Sequence, residues 1–258
     1  MDPRRRPGGR VSTGGPPRLI CFHHAGAGVS AFARWQSAMG SAAEVVPVLL
    51  PGRGPRIREQ RITDPDRLIA ELDSLIGPLL ERPFAFYGHS LGGLVAHTYA
   101  AALQRSGRPL PRLVAVGAVL PPHLRSPVLA AAALPDDGLL HRLVDHGVLP
   151  PGAVDPQETG LWRRRVLPAL RDDLRLGEAL CAAGGAALHS PVLAVAGRGD
   201  AIATPEGVAQ WSRYALDGFE LRTVPGGHFF VRERTLPALL AGVLGEAAAA
   251  PRLVSSAA

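Results

Sequence analysis

The stretch Phe84-Ala85-Phe86-Tyr87-Gly88-His89-Ser90-Leu91-Gly92-Gly93-Leu94-Val95-Ala96 decides how the rest of the chain is read. A short apolar run, then G-x-S-x-G, then a helical pattern is the strand–turn–helix setting of a nucleophile elbow. At the tip of so sharp a turn a serine sits in strained backbone geometry. Side chains two residues away on either side would collide with the neighbouring strand and helix, so glycine is required at 88 and 92. The Ser90 hydroxyl is then left exposed. The five-residue pattern alone arises by chance in many proteins, and its flanks make it specific.

Working outward, apolar runs at 18–23, 44–50, 84–87, 113–120, 192–196 and 220–224 read as strands. Helical patterns near 31–41, 65–80, 91–106, 206–215 and 235–246 separate them. The runs are mostly continuous, which suits strands buried on both faces of a parallel sheet. Repeated βα units indicate a doubly wound α/β fold, with a mostly parallel sheet and helices on both faces. Residues 121–189 break the rhythm: they carry no strand pattern, only helical stretches around 136–146, 157–170 and 171–183. This segment reads as a helical lid inserted between two core strands, because loops at the C-terminal strand ends surround the site in open α/β sheets. The expected organisation is a disordered basic tail over 1–16, one domain over 17–248 with the lid at about 121–189, and a disordered tail over 249–258.

A chain of 258 residues that is 47% hydrophobic can bury one substantial core. No apolar stretch approaches the length of a membrane span. The basic N-terminus leads into Gly and Pro rather than an apolar segment, unlike a secretory signal. Cys21 and Cys181 lie in apolar surroundings and read as reduced thiols of a cytoplasmic protein. The net charge of +6 rests on 28 arginines without one lysine. Such a bias matches GC-rich coding, and the charge would also steer acidic partners. No nucleic-acid partner is expected, since only 5% of residues are aromatic and no recognition motif occurs.

A serine hydroxyl needs a base, and the base needs an orienting group. A nucleophile on this kind of elbow goes with the chain order Ser, acid, His. Downstream of Ser90 lie His97, His123, His141, His146, His189 and His228. His97 falls within the helix after the elbow, and His123, His141 and His146 fall in the lid. His228 sits in Val224-Pro225-Gly226-Gly227-His228-Phe229-Phe230, a glycine-flanked loop after the last strand, and is the candidate base. Asp200 closes Val192-Leu193-Ala194-Val195-Ala196-Gly197-Arg198-Gly199-Asp200 at the end of the penultimate strand. The preceding strand ends without a carboxylate, so Asp200 is the candidate acid. The oxyanion hole is expected from the backbone N–H of Leu91 and one from the loop Phe22-His23-His24-Ala25-Gly26-Ala27-Gly28, where Ala25 is the first choice and Gly26 the reserve.

The same loop supports a rival. Gly26-Ala27-Gly28-Val29-Ser30-Ala31 fits G-x-G-x-x-[GA], the dinucleotide fingerprint. The next strand ends Leu49-Leu50-Pro51-Gly52-Arg53, without the ribose-binding acid, although Arg53 would suit a 2′-phosphate. That NADP-dependent reductase reading leaves the elbow, Asp200 and His228 unexplained.

Taken together, Cys21-Phe22-His23-His24-Ala25-Gly26-Ala27-Gly28, Leu50-Pro51-Gly52-Arg53 and Gly88-His89-Ser90-Leu91-Gly92-Gly93 resemble the type II thioesterases of polyketide and nonribosomal peptide assembly lines. The likeness continues through Leu134-Pro135-Asp136-Asp137, Leu170-Arg171-Asp172-Asp173-Leu174, Gly199-Asp200 and Gly226-Gly227-His228-Phe229-Phe230, and spans roughly 18–245. The serine and histidine motifs are shared with all α/β-hydrolases; the Pro-Gly-Arg turn and the Leu-Arg-Asp-Asp-Leu segment are the more specific part. Two places depart from the family pattern. His23 replaces a proline and Ala27 a glycine in the first loop, and Asp200-Ala201-Ile202-Ala203 stands where Asp-Pro-x-Val is common.

The resemblance implies an α/β-hydrolase fold and hydrolysis of acyl groups from the phosphopantetheine arm of acyl or peptidyl carrier proteins. It implies an acyl-enzyme on Ser90 that needs no metal and no cofactor; a monomer is the expected state, which the sequence itself leaves open. Carrier proteins of this kind are acidic, so Arg163-Arg164-Arg165 beside Trp162, or Arg53 and Arg56, are docking candidates; a solvated helix face is the plainer account of the first group. The competing enzyme reading is a carboxylesterase or lipase on small oxygen esters, since a triad does not distinguish oxygen from sulfur leaving groups.

Overall fold

The apolar runs become one six-stranded sheet in which every pairing is parallel. The computed structural model describes residues 15–249; the expected tails lie outside them except at Gly15, Pro16 and Ala249. The strands are β1 (Arg18–Phe22), β2 (Glu44–Val48), β3 (Phe84–His89), β4 (Val114–Gly117), β5 (Val192–Gly197) and β6 (Phe219–Val224), in the order β2-β1-β3-β4-β5-β6. The helices are α1 (Trp35–Met39), α2 (Pro65–Ile76), α3 (Leu91–Arg105), α4 (Pro127–Ala130), α5 (Asp136–Asp145), α6 (Pro156–Ala182), α7 (Pro205–Ala209) and α8 (Thr235–Ala249).

Helices cover both faces, which is why the strands read as continuous apolar runs. Ile20 and Phe22 of β1 pack in a core with Leu68 and Leu72 of α2 and Leu94 and Tyr99 of α3. Leu19 and Cys21, alternating with them in sequence, pack in a second core with Trp35 and Met39 of α1 and Leu236 and Leu240 of α8. β2 is added on one side of β1 and β3 on the other, so the order reverses between β1 and β3. A crevice opens at the C-terminal strand ends at such a switch point. The elbow follows β3, and the glycine-bearing loop follows β1.

Several elements differ from the sequence expectation. The helix expected at 31–41 is a 3₁₀ turn, Val29–Phe32, followed by the five-residue α1. The strand expected at 113–120 stops at Gly117, because Ala118 has φ +52° and turns the chain out of the sheet. The stretches 157–170 and 171–183 form one helix, α6, with Pro168 inside it on the exposed face. The segment between β4 and β5 has a small core of its own, where Val128, Leu139, Leu140, Leu143, Leu167, Leu170 and Leu174 pack with Ile202. Its end rejoins the core through a parallel bridge from Leu188 to Ala215. Cys21 and Cys181 are both free thiols, and burial raises both. Among the described residues, no helix is long and apolar enough to cross a membrane.

Candidate active site

β3 delivers Ser90 to the switch point in a conformation that few side chains adopt, φ +54° and ψ −121°. Such a residue costs on the order of 1–3 kcal/mol unless its surroundings hold it. Here its N–H donates to the Gly117 carbonyl at 2.8 Å and its carbonyl accepts from the Gly93 N–H at 2.8 Å. The flanking glycines answer to close approach. A Cβ on Gly88 would lie 1.9 Å from the Gly92 carbonyl oxygen, and one on Gly92 would lie 2.1 Å from the Phe22 carbonyl oxygen. Helix α3 can therefore leave the elbow directly against β1.

His228 and Asp200 arrive on the loops after β6 and β5. Those loops are joined by the Gly199 N–H donating to the Gly226 carbonyl at 2.9 Å. The His228 Nε2 lies 3.1 Å from the Ser90 Oγ, and its Nδ1 lies 2.9 Å from the Asp200 Oδ2. The second carboxylate oxygen of Asp200 accepts from the N–H groups of Ile202 at 2.9 Å and Ala203 at 3.1 Å. Burial alone would raise the Asp200 carboxyl. The hydrogen bond and charge of His228, with those two N–H donors, outweigh it and hold the group below the usual aspartate range. An ionised Asp200 can only accept, so it fixes the proton of His228 on Nδ1 and leaves Nε2 free to accept from the serine hydroxyl. The departure at 201–203 leaves this carboxylate cradle intact.

His89, the residue before the nucleophile, is a positioning group that sequence reasoning did not single out. Its Nε2 lies 2.7 Å from the His228 carbonyl and its Nδ1 lies 2.8 Å from the Tyr87 hydroxyl. A carbonyl cannot donate, so Nε2 carries the proton and Nδ1 accepts from Tyr87. The elbow is thereby tied to the backbone of the histidine loop. The available signal was a histidine closing an otherwise apolar strand, where burial obliges both ring nitrogens to find partners. The other downstream histidines have structural settings. His97 bonds the Ala186 carbonyl between Trp211 and Tyr214, His123 stacks on Tyr214, His141 and His146 bond carbonyls of their own helix, and His189 pairs with Asp217 at the surface.

Ala25 and Leu91 line the same pocket as Ser90 and His228. Among the described residues, no hydrogen bond engages the Ala25 N–H. The reserve donor is committed elsewhere: the Gly26 N–H donates to the Asp173 Oδ2 at 2.8 Å. Asp173, on α6 and 2% exposed, also takes two hydrogen bonds from Arg53, Nη1 to Oδ2 at 2.8 Å and Nη2 to Oδ1 at 2.7 Å. Arg53 Nη1 further donates to the Ala27 carbonyl at 3.1 Å. The Pro-Gly-Arg turn and the Leu-Arg-Asp-Asp-Leu segment thus meet at the loop after β1.

That junction removes the footing of the dinucleotide reading. Both terminal nitrogens of Arg53 are committed to a buried carboxylate rather than held open for a phosphate, and the Gly26 N–H points at the same carboxylate. Of the arginines considered for docking, Arg53 is buried against Asp173, Arg164 is exposed, and two others are paired. Arg56 pairs with Glu59 and Glu71, and Arg163 pairs with Asp137. The side chains of Trp162 and Arg165 lie outside the described residues.

The pocket above Ser90 is small, about 50 Å³, and mainly apolar, with Leu94, Leu129, Leu143, Val148 and Leu174 around it. A serine made nucleophilic beside an apolar chamber is what acyl transfer requires. The thioesterase domain family matches residues 17–244. The chain belongs to the thioesterase family. Among solved structures, it is similar to the RedJ thioesterase of the prodiginine biosynthetic pathway of Streptomyces coelicolor, at 35% identity over 92% of this chain and 91% of that one, with a TM-score of 0.76. It is also similar to the type II thioesterase BorB of the borrelidin biosynthetic cluster, at 26% identity over 95% and 94% of the two chains, with a TM-score of 0.71. A further relative, 31% identical over 88% of this chain and 90% of its own length, is named linear gramicidin dehydrogenase LgrE, from Brevibacillus parabrevis. The thioesterase described here is an α/β-hydrolase of the type II kind, and thioester hydrolysis is its activity.

Proposed function

We propose that this thioesterase removes acyl groups from the phosphopantetheine arm of acyl or peptidyl carrier proteins, clearing stalled or misprimed chains, through a covalent Ser90 intermediate. The observation that carries the reading is the unbroken chain Asp200–His228–Ser90, with distances of 2.9 and 3.1 Å, ending beside the apolar pocket. As the Ser90 oxygen bonds to the thioester carbonyl carbon, its proton passes to the His228 Nε2. The carbonyl electron pair moves onto oxygen, where the N–H groups of Leu91 and Ala25 receive it. Asp200 stabilises the imidazolium without taking its proton. Collapse breaks the carbon–sulfur bond, and the departing sulfur takes the proton from Nε2. Water then attacks the acyl-serine with His228 again as base, releasing the carboxylic acid and restoring the hydroxyl. Each proton passes through the His228 Nε2, from the Ser90 hydroxyl to the departing sulfur and then from water back to the Ser90 oxygen.

The helical segment over the pocket serves as its lid, and the residues expected at 17–248 act as one hydrolase domain. The two free thiols fit work in the cytoplasm, and the reading treats the protein as a monomer. Mass spectrometry of acyl-loaded carrier proteins before and after exposure to the enzyme tests the proposal. Conversion to the free arm is expected with the wild type and not with Ser90→Ala. Faster hydrolysis of matched oxygen esters than of acyl-pantetheine thioesters would instead identify a carboxylesterase.

A further inference from the structure

Among the buried histidines of the described residues, His24 alone has no hydrogen bond at either ring nitrogen. His23 uses Nδ1, His89 uses both nitrogens and His97 uses Nε2. His24 is 8% exposed, and its Nδ1 is wholly buried without a partner. Its ring packs edge-on against the Phe229 ring at 5.2 Å and the His89 ring at 5.8 Å. Those two rings in turn flank the His228 ring, at 5.3 and 5.9 Å. Buried polar groups ordinarily find partners, so an unbonded imidazole beside the catalytic base calls for a reason. His24 also stands where two cavities meet. The inner pocket of about 50 Å³ holds Ser90 and His228, and a groove of about 830 Å³ adjoins it. His24, Ala25, Val148, Leu170 and Phe229 border both. Of these five side chains, only that of His24 carries a polar atom.

We infer that His24 is a further catalytic residue, whose ring nitrogen accepts a hydrogen bond from the water that hydrolyses the acyl-serine. The inference rests on the covalent Ser90 reading above and concerns only its second step. In the first step the nucleophile is already in place on the elbow. In the second, water must reach the acyl carbon while the acyl group fills the apolar inner pocket. The wall shared with the groove gives it a route, and the polar side chain on that wall is His24. Attack forms the bond from the water oxygen to the acyl carbon, and the carbonyl electron pair moves onto oxygen. One water proton passes to the His228 Nε2. The other donates to the lone pair of His24, stays on its oxygen and leaves with the carboxylic acid. Collapse breaks the bond between carbon and the Ser90 oxygen, which takes the proton back from Nε2. His24 neither gains nor loses a proton. Burial chiefly holds it down to about 3, from 6.5, so it accepts a hydrogen bond without competing with His228 as a base.

The test follows acetyl-Ser90 by rapid-quench mass spectrometry after mixing acetyl-pantetheine with the wild type, His24→Phe or His24→Gln. Phenylalanine keeps a ring against Phe229 and His89 but removes the acceptor, whereas glutamine keeps a carbonyl acceptor. In His24→Phe the decay of acetyl-Ser90 is expected to slow at least about tenfold, while its formation changes less than about threefold. At steady state kcat and KM then fall together and kcat/KM stays near the wild-type value, a split that a merely structural loss does not produce. In His24→Gln the decay is expected to return to within about threefold of the wild type. Equal slowing of formation and decay would place His24 in oxyanion binding or in the fold, and would overturn the inference. Unchanged decay in His24→Phe, or decay as slow in His24→Gln, would overturn it as well. A wild type that releases acetate without ever carrying acetyl-Ser90 would instead sink the covalent reading itself, and this inference with it.

Discussion

Arg53 and Asp173, 120 residues apart in the chain, form a buried two-point ion pair that fastens helix α6 of the insertion to the loop after β1. Asp173 also holds the Gly26 N–H, one residue from the proposed oxyanion donor Ala25. Helix α6 and the loop after β1 therefore share one anchor. Removing a single partner leaves a buried charge uncompensated, at a cost of about 3–5 kcal/mol. Asp173→Ala is expected to lower stability by that amount in urea unfolding. The double variant Arg53→Met/Asp173→Leu buries no charge and is expected to recover much of the stability. Its kcat should stay low, because the Gly26 tether is gone. Full recovery of both would show the pair to be purely structural.

The strain at Ser90 gives a second expectation. Ser90→Gly removes the hydroxyl and the positive-φ penalty together, so the variant should be inactive yet no less stable than Ser90→Ala. A difference of about 1 kcal/mol in its favour is expected, and thermal melts of the two variants compare them. Loss of kcat in each should reach roughly 10⁴- to 10⁶-fold.

Acid should destabilise the fold through buried neutral histidines. Burial pushes His23 and His97 down to about 4 and His24 to about 3, from 6.5. The folded values lie below the unfolded one, so the unfolded chain binds more protons in between, and stability falls as pH drops below about 6.5 toward these values. For His97 alone, the contribution lost by about pH 4 is on the order of 3 kcal/mol. Melting temperatures recorded between about pH 7 and pH 4 should fall steadily, and His97→Phe should flatten that slope. A melting temperature unchanged across the range would contradict this account.

The size of the inner pocket gives an expectation for acyl preference. About 50 Å³ beside Ser90 accepts a short acyl group without movement of the insertion. Acetyl and propionyl thioesters are expected to have higher kcat/KM than octanoyl. Leu129, partly buried at the pocket wall, limits its depth. Leu129→Ala should raise kcat/KM for octanoyl relative to acetyl by roughly tenfold, as removed methyl groups make room at a packed wall. An unchanged ratio would mean that the longer chain runs elsewhere.

Much of this arrangement was legible in the sequence because it is local. The elbow announces itself through Gly88 and Gly92, and the strand ends before Asp200 and His228 follow from apolar runs closed by glycine. What stayed hidden depends on burial or on distant contacts. Arg53 reads as a surface cation, suited to a phosphate or to docking, until the insertion brings Asp173 onto it. Ala118 carries no mark of its left-handed backbone, so β4 looked longer than it is. The two helical stretches expected at 157–170 and 171–183 run on as one helix, and Pro168, on its exposed face, does not end it. The groove behind Phe229 combines residues from four separated segments, and no local pattern reveals it.

Rapid-quench mass spectrometry of the protein mixed with an acetyl-loaded carrier protein tests the central claim most directly. An acetyl mass increment on the peptide containing Gly88–Gly93, assigned to Ser90 and decaying as acetate appears, is the predicted result. Acetate released at full rate with Ser90 never modified, or released undiminished by Ser90→Ala, would contradict it.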